Sequence, residues 1–367
     1  MNHADSLSAD LRARIADAIA QAGAWLGFDA FMHLALYTPG LGYYANDLRK
    51  LGLMPGSGSD FVTAPELSPL FGQTLAQPIS QALQASGTHE VWEFGAGSGA
   101  LALQLLDALG DQVQRYTIVD VSGALKARQQ ATLAAHAHKV RWVSALENFE
   151  GVVVGNEVLD AMPVKLLQRT DGTWHERGVA WQDGLVWEDR VTDLRPPMAI
   201  DGPHDYLTEI HPQGEAFVRT IAQHLQRGAA FFIDYGFTEA EYYHPQRHTG
   251  TVVCHRAHQM DDNPLADVGL KDITAHVNFT GVALAAQDAG LDVLGYTSQA
   301  RFLINAGLPE RMAQAELAQR ANAQKLLMEH EMGELFKVIG LAKGWNPSSF
   351  SSPNGFGFMP GDRTHTL

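Results

Sequence analysis

Val91-Trp92-Glu93-Phe94-Gly95-Ala96-Gly97-Ser98-Gly99, followed by the apolar stretch Ala100 to Leu106, constrains this chain more than any other segment. The pattern predicts a short buried strand with an acid near its end, a tight turn and an apolar helix. Alternating glycines remove side chains where the backbone reverses and let a ligand lie against peptide N–H groups at a helix start. A junction of this kind holds a nucleotide-type cofactor in an α/β sheet.

Three cofactors compete for such a loop. ATP needs Lys-Ser/Thr after the glycines, and Gly99 is followed by Ala100-Leu101, so ATP is disfavoured. A dinucleotide fits the glycine spacing if Ala100 takes the place of the third glycine. Glu93 would then bring negative charge close to a pyrophosphate. S-adenosylmethionine has no phosphate, and its methionine end carries an ammonium beside a sulfonium, which a carboxylate attracts. Asp120, closing the next predicted strand, can accept from both ribose hydroxyls in either cofactor. Glu93, Gly95, Gly97, Gly99 and Asp120 together favour a methyltransferase over a dehydrogenase, with both still open at this point.

Around this loop, apolar strands alternate with helices, the signature of a parallel doubly wound sheet. Strands are predicted at 91–94, 116–120, 140–143, 151–156 and 231–235, with Val252-Val253-Cys254 and Leu291 to Tyr296 as candidates for the last two. Asp171-Gly172 and Asp183-Gly184 separate short apolar runs, so an antiparallel meander is inserted at about 164–192. Residues 1–87 read as an N-terminal helical and aromatic cap, 88–300 as the cofactor core with its insertion, 301–343 as a C-terminal helical segment, and 344–367 as a flexible tail. The cap contains Tyr37 and Tyr43, expected to pack over a substrate.

With 46% hydrophobic and 18% charged residues in a chain of 367, the composition is globular, and a net charge of -15 argues against a nucleic-acid surface. The single Cys254 allows no intrachain disulfide and reads as a small buried hydrophobe. No stretch is long and apolar enough to span a bilayer, and no signal or transit pattern opens the chain, so a cytoplasmic protein without membrane insertion is expected. His244, His248, Cys254, His255 and His258 fit no zinc spacing, and Pro245 interrupts them, so no metal is expected. The C-terminal helices offer a surface for a homodimer.

Longer strings carry a family likeness. Asp60-Phe61-Val62-Thr63-Ala64-Pro65-Glu66, Asn156-Glu157-Val158-Leu159-Asp160-Ala161 and Ile233-Asp234-Tyr235-Gly236 resemble the MidA family of class I methyltransferases, as do Phe31 to Gly40, Asp272 to Ala275 and Gly333 to Lys337. That family includes the mitochondrial complex I assembly arginine methyltransferase. The resemblance implies a Rossmann-like class I α/β fold, S-adenosylmethionine as cofactor, and a protein arginine, in a respiratory complex I subunit or similar protein, as acceptor. Asn278 stands where the family pattern often has Asp.

Carboxylates orient a guanidinium bidentately and take up its charge. Glu157 and Asp160, after the fourth strand, are expected to face it, with Asp234 and Tyr235 as second candidates at the same sheet edge. Asp60 and Glu66 are expected to line the substrate pocket. Asn156 is placed with the cofactor residues, and can equally hydrogen-bond an amine or amide. Two other functions stay open: a non-catalytic assembly factor that binds a respiratory-complex subunit, and a small-molecule methyltransferase.

Overall fold

Seven of the eight strands of one sheet form the path that carries the glycine loop: β1 (Glu90–Phe94), β2 (Arg115–Val119), β3 (Val140–Val143), β4 (Phe149–Asn156), β5 (Leu225–Phe237), β6 (Asp292–Ser298) and β7 (Phe336–Lys343). The computed structural model describes residues 3–46, 62–120, 123–256 and 258–367. The strands lie in the order β6-β7-β5-β4-β1-β2-β3. β5 through β3 are parallel, whereas β7 runs antiparallel to both β5 and β6. Chain order reverses between β1 and β4, and ligands of open α/β sheets bind at that switch point, beyond the carboxyl ends of the strands.

Contacts divide the chain into two units. One comprises residues 62–159, 216–236 and 279–367, and holds this sheet. On one of its faces Val91, Tyr116, Ile118, Val152 and Val154 bury against the helices Pro69–Ser86 and Ala100–Leu109. On the other, Phe217 meets Phe94 at 5.1 Å and Phe232 at 6.1 Å. Both faces are covered, so the strands read as apolar runs rather than alternations.

The other unit comprises residues up to 61, 160–215 and 237–278. The expected meander forms here as Lys165–Thr170, Thr173–Trp181 and Leu185–Val191, joined on one side by Tyr206–Ile210. Asp171 and Gly172 both take positive φ, 49° and 76°, the conformation a two-residue hairpin turn requires. The helices His3–Gln21 and Phe28–Tyr37 bury Leu11, Ile15, Ile19, Phe28 and Phe31 in one core with Val164, Leu166 and Val179 from the meander region. No helix among the described residues is long and apolar enough to cross a membrane.

Four parts differ from the sequence reading. Val253–Arg256 does not join the large sheet; it pairs with Gln259–Asp261 and Asp272–Thr274 in a small antiparallel sheet. The sheet is completed instead by Phe336–Lys343, inside the segment expected to be helical. Every residue from Phe336 to Ala342 is buried, and a fully buried run has no periodicity to separate strand from helix. The third is the tail. Phe356 and Phe358 are buried, and the Phe358 ring lies parallel to Phe231 at 6.4 Å. A Cβ on Gly340 would stand 2.6 Å from the Phe358 ring, so this glycine leaves the space the ring fills. The helix Pro69–Ser86, expected in the cap, packs with the cofactor unit.

Candidate functional site

β1 ends in the glycine loop, with φ of 65° at Gly95, 52° at Gly97 and 84° at Gly99. Only glycine adopts this series without strain. A Cβ on Gly95 would also meet Val158 at 2.9 Å. Gly99 is the N-cap of Ala100–Leu109, so the loop presents peptide N–H groups at a helix start.

Side chains fix this loop from several directions. Gln104, on the helix, donates to the Pro65 carbonyl at 2.8 Å and accepts from Gly72 N at 2.9 Å. That anchors Thr63-Ala64-Pro65-Glu66, whose Glu66 carboxylate accepts from the Ser98 hydroxyl. Thr132 donates to the Ser98 carbonyl at 2.8 Å. Glu66, expected at the substrate, is therefore placed on the glycine loop. Gln104, Thr132 and Gln129 carried no motif signal, because each acts from an ordinary helical stretch.

Glu93 is 2% exposed, and its carboxyl accepts from Tyr116 Oη at 2.7 Å. Burial pushes its pKa up to about 8, the tyrosine bond pulls it back, and Asp120 adds to the rise. Asp120 follows β2, and its Oδ2 accepts from Gln129 Nε2 at 2.8 Å.

Asn156 ends β4, beside β1 across the switch point, where Phe94 pairs with Gly155. Its Nδ2 donates to Glu157 at 3.0 Å, while its buried Oδ1 has no partner among the described residues. Glu157 takes a left-handed φ of 53°, uncommon away from glycine and costly enough to need support. The support comes from β5: Glu157 N donates to the Ile233 carbonyl at 2.9 Å. Asp234 Oδ2 accepts from Val158 N at 3.0 Å and Leu159 N at 2.8 Å, and Oδ1 accepts from Tyr235 N at 3.1 Å. Asp234, a second catalytic candidate, thus holds this turn in place. The Tyr235 ring meets Phe336 edge-on at 5.3 Å.

The remaining candidates belong to the other unit. Tyr37 Oη donates to the Ala161 carbonyl at 2.9 Å, and its ring stacks on Tyr44 at 5.6 Å. Tyr44 Oη donates to both oxygens of Asp272, at 2.7 and 2.8 Å. Tyr43 is buried, edge-on to Tyr44 at 5.1 Å. Asp160 is 4% exposed, and its carbonyl accepts from Ala275 N. Burial, then the charges of Asp272 and Asp160, raise the Tyr37 and Tyr44 hydroxyls well above the ordinary tyrosine range. Asp272 stands in one of the family strings, but neither it nor Tyr44 is among the expected site residues. Asn278, the departure from the family pattern, is buried and hydrogen-bonds with Glu239 and Tyr243. Asp60 lies outside the described residues.

The donor set fits S-adenosylmethionine. A left-handed glycine series accepts a ligand against backbone, and Glu93 suits a cationic methionine end. The Asp120 carboxylate suits a ribose, and the Asn156 oxygen, unpartnered among the described residues, suits an amine donor. Among the described residues no group of three His, Cys, Asp or Glu side chains is placed to hold a metal.

Residues 73–297, more than half of the chain, match the model of a family described as S-adenosyl-L-methionine-dependent methyltransferase. The mitochondrial protein arginine methyltransferase NDUFAF7 of Danio rerio is 27% identical, over 85% of this chain and 82% of its own length. Its Caenorhabditis elegans homolog is 25% identical over 85% and 81%. A crystal structure from Burkholderia thailandensis, bound to S-adenosyl-homocysteine, superposes with a TM-score of 0.94 at 48% identity, covering 100% of this chain and 99% of that one.

Proposed function

The chain belongs to this family of S-adenosylmethionine-dependent methyltransferases, and on that premise we propose that its acceptor is a protein arginine, in a respiratory complex I subunit or a similar protein. Relatives named as protein arginine methyltransferases, aligned along most of the chain, support this reading. The observation that carries it is the acidic turn after β4. Glu157 is held in a left-handed conformation there, by hydrogen bonds that the backbone N–H groups of residues 157–159 donate to β5. A strained acid kept in place at the carboxyl edge of the switch point suits the orientation of a cationic acceptor.

When bound, S-adenosylmethionine supplies an electrophilic methyl group on a sulfonium. In the proposed roles Glu93 attracts the cationic methionine end, Gly95, Gly97 and Gly99 admit the cofactor to the backbone, and Asp120 accepts from the ribose. Asn156 Oδ1 accepts from an amine. Glu157 and Asp160 accept from guanidinium N–H groups, which points a nitrogen lone pair at the methyl carbon and takes up the proton lost afterwards. Asp234 is a positioning residue that keeps the Glu157 turn.

Incubating the protein with methyl-labelled S-adenosylmethionine and a cell lysate, then hydrolysing the protein fraction, tests the acceptor. Labelled methylarginine is expected. Label confined to small metabolites would reject a protein acceptor.

A further inference from the structure

We propose that Gln129 is a positioning residue for the methyl donor: its amide locks the glycine loop to Asp120 and so presets the carboxylate that meets the ribose. Gln129 is 0% exposed, on the helix Gly123–Thr132. Its Nε2 donates to the Gly97 carbonyl at 3.1 Å and to Asp120 Oδ2 at 2.8 Å. Its Oε1 accepts from Trp142 Nε1 at 2.9 Å. Both amide hydrogens and the amide oxygen are thus engaged by three different segments: the glycine loop, the end of β2 and β3.

The amide has only one workable orientation. Turned over, its oxygen would face two acceptors and its NH2 would face the indole donor. Trp142 therefore decides which way Gln129 points, and Gln129 holds one oxygen of the Asp120 carboxylate. A Cβ on Gly99 would stand 3.5 Å from Gln129 Cα, so the helix backbone also packs directly under the loop. A carboxylate held in advance does not have to be ordered when the ribose arrives, and preorganisation of this kind raises affinity by lowering the cost of binding.

The inference rests on the reading of Asp120 as the ribose acid, and the experiment separates the two. S-adenosylhomocysteine and its 2′-deoxyribose analogue are titrated calorimetrically into the full-length wild type, Asp120→Ala, Gln129→Met and Trp142→Phe, with melting temperatures recorded for each. The wild type is expected to prefer the ribose ligand by about tenfold, the discrimination of one charge-assisted hydrogen bond. Asp120→Ala should erase that preference. Gln129→Met should reduce it to within about threefold while the deoxy analogue binds nearly as before, and Trp142→Phe should fall between wild type and Gln129→Met. If Asp120→Ala keeps the preference, the ribose assignment fails and the inference with it. If Asp120→Ala erases it but Gln129→Met and Trp142→Phe retain it, or weaken both ligands alike, Gln129 has no positioning role. Should Gln129→Met not fold, Trp142→Phe, at a partly exposed residue, decides alone: retained wild-type preference overturns the inference.

Discussion

The two units of this chain solve the placement of polar groups differently. In the cofactor unit the loop residues lie within one stretch of strand, turn and helix, and their supports follow soon after: Gln129 is 9 residues from Asp120 and 32 from Gly97. In the other unit, Tyr44 reaches Asp272 across 228 residues and Tyr37 reaches Ala161 across 124. The first arrangement is a local motif with a few distant props. The second exists only after three separated segments have come together. Polar placement is consequently a property of a short sequence in the cofactor unit, and of tertiary assembly in the other unit.

If donor and acceptor roles are divided among these residues as proposed, substitutions of the acceptor residues should abolish transfer while sparing the donor. Glu157→Ala and Asp160→Ala are each expected to lower kcat by about 10²–10⁴-fold, the range for a positioned acid or base, with S-adenosylhomocysteine affinity unchanged. Full activity in both variants would remove them from the reaction, and a parallel loss of donor affinity would break the division itself.

The same contrast explains what the sequence disclosed. Glu93, the glycines and Asp120 were legible because strand, turn and helix leave a periodic trace, and the Asp171-Gly172 turn announced the meander. Phe336–Lys343 was not, since a run buried on both sides looks alike as strand or helix. The tail's composition suggested disorder, yet Phe356 and Phe358 are what hold it, each buried in the core of the cofactor unit. Glu66 was recognised within a family string, but nothing in that string told that its carboxylate would meet Ser98. Tyr44, Asp272 and Gln129 could have been found only by knowing which distant residue each would face.

A smaller effect should sharpen the contrast in stability. Tyr44→Phe removes a hydroxyl that donates to both oxygens of a buried carboxylate, which should cost about 1–3 kcal/mol. Urea denaturation would register the loss, while donor affinity stays at its wild-type value. Unchanged stability would mean that this long-range pair does not hold its unit together.

The smallest effect is in pH. Burial leads the rise of Glu93 to about 8. Its protonated form therefore favours the ligand-free fold, a contribution complete below the ordinary carboxylate range and lost as pH climbs through about 8. A cationic ligand favours the carboxylate, so binding below that pH releases a proton and tightens as pH rises. Affinity for S-adenosylmethionine should grow by at most about tenfold per unit between pH 7 and 8, and Glu93→Gln should flatten the profile. A flat wild-type profile would mean that Glu93 does not meet the cationic end.

Calorimetric titration of the full chain with S-adenosylmethionine, beside Gly97→Leu, tests the central claim most directly: the loop after β1 is the methyl-donor site. Gly97 sits at a φ of 52°, where leucine is strained and its side chain would stand where the ligand approaches backbone. One binding site in the wild type is predicted, weakened by about tenfold or more in the variant, with the variant still folded by circular dichroism. Equal binding by the two proteins, or none by the wild type, would contradict it.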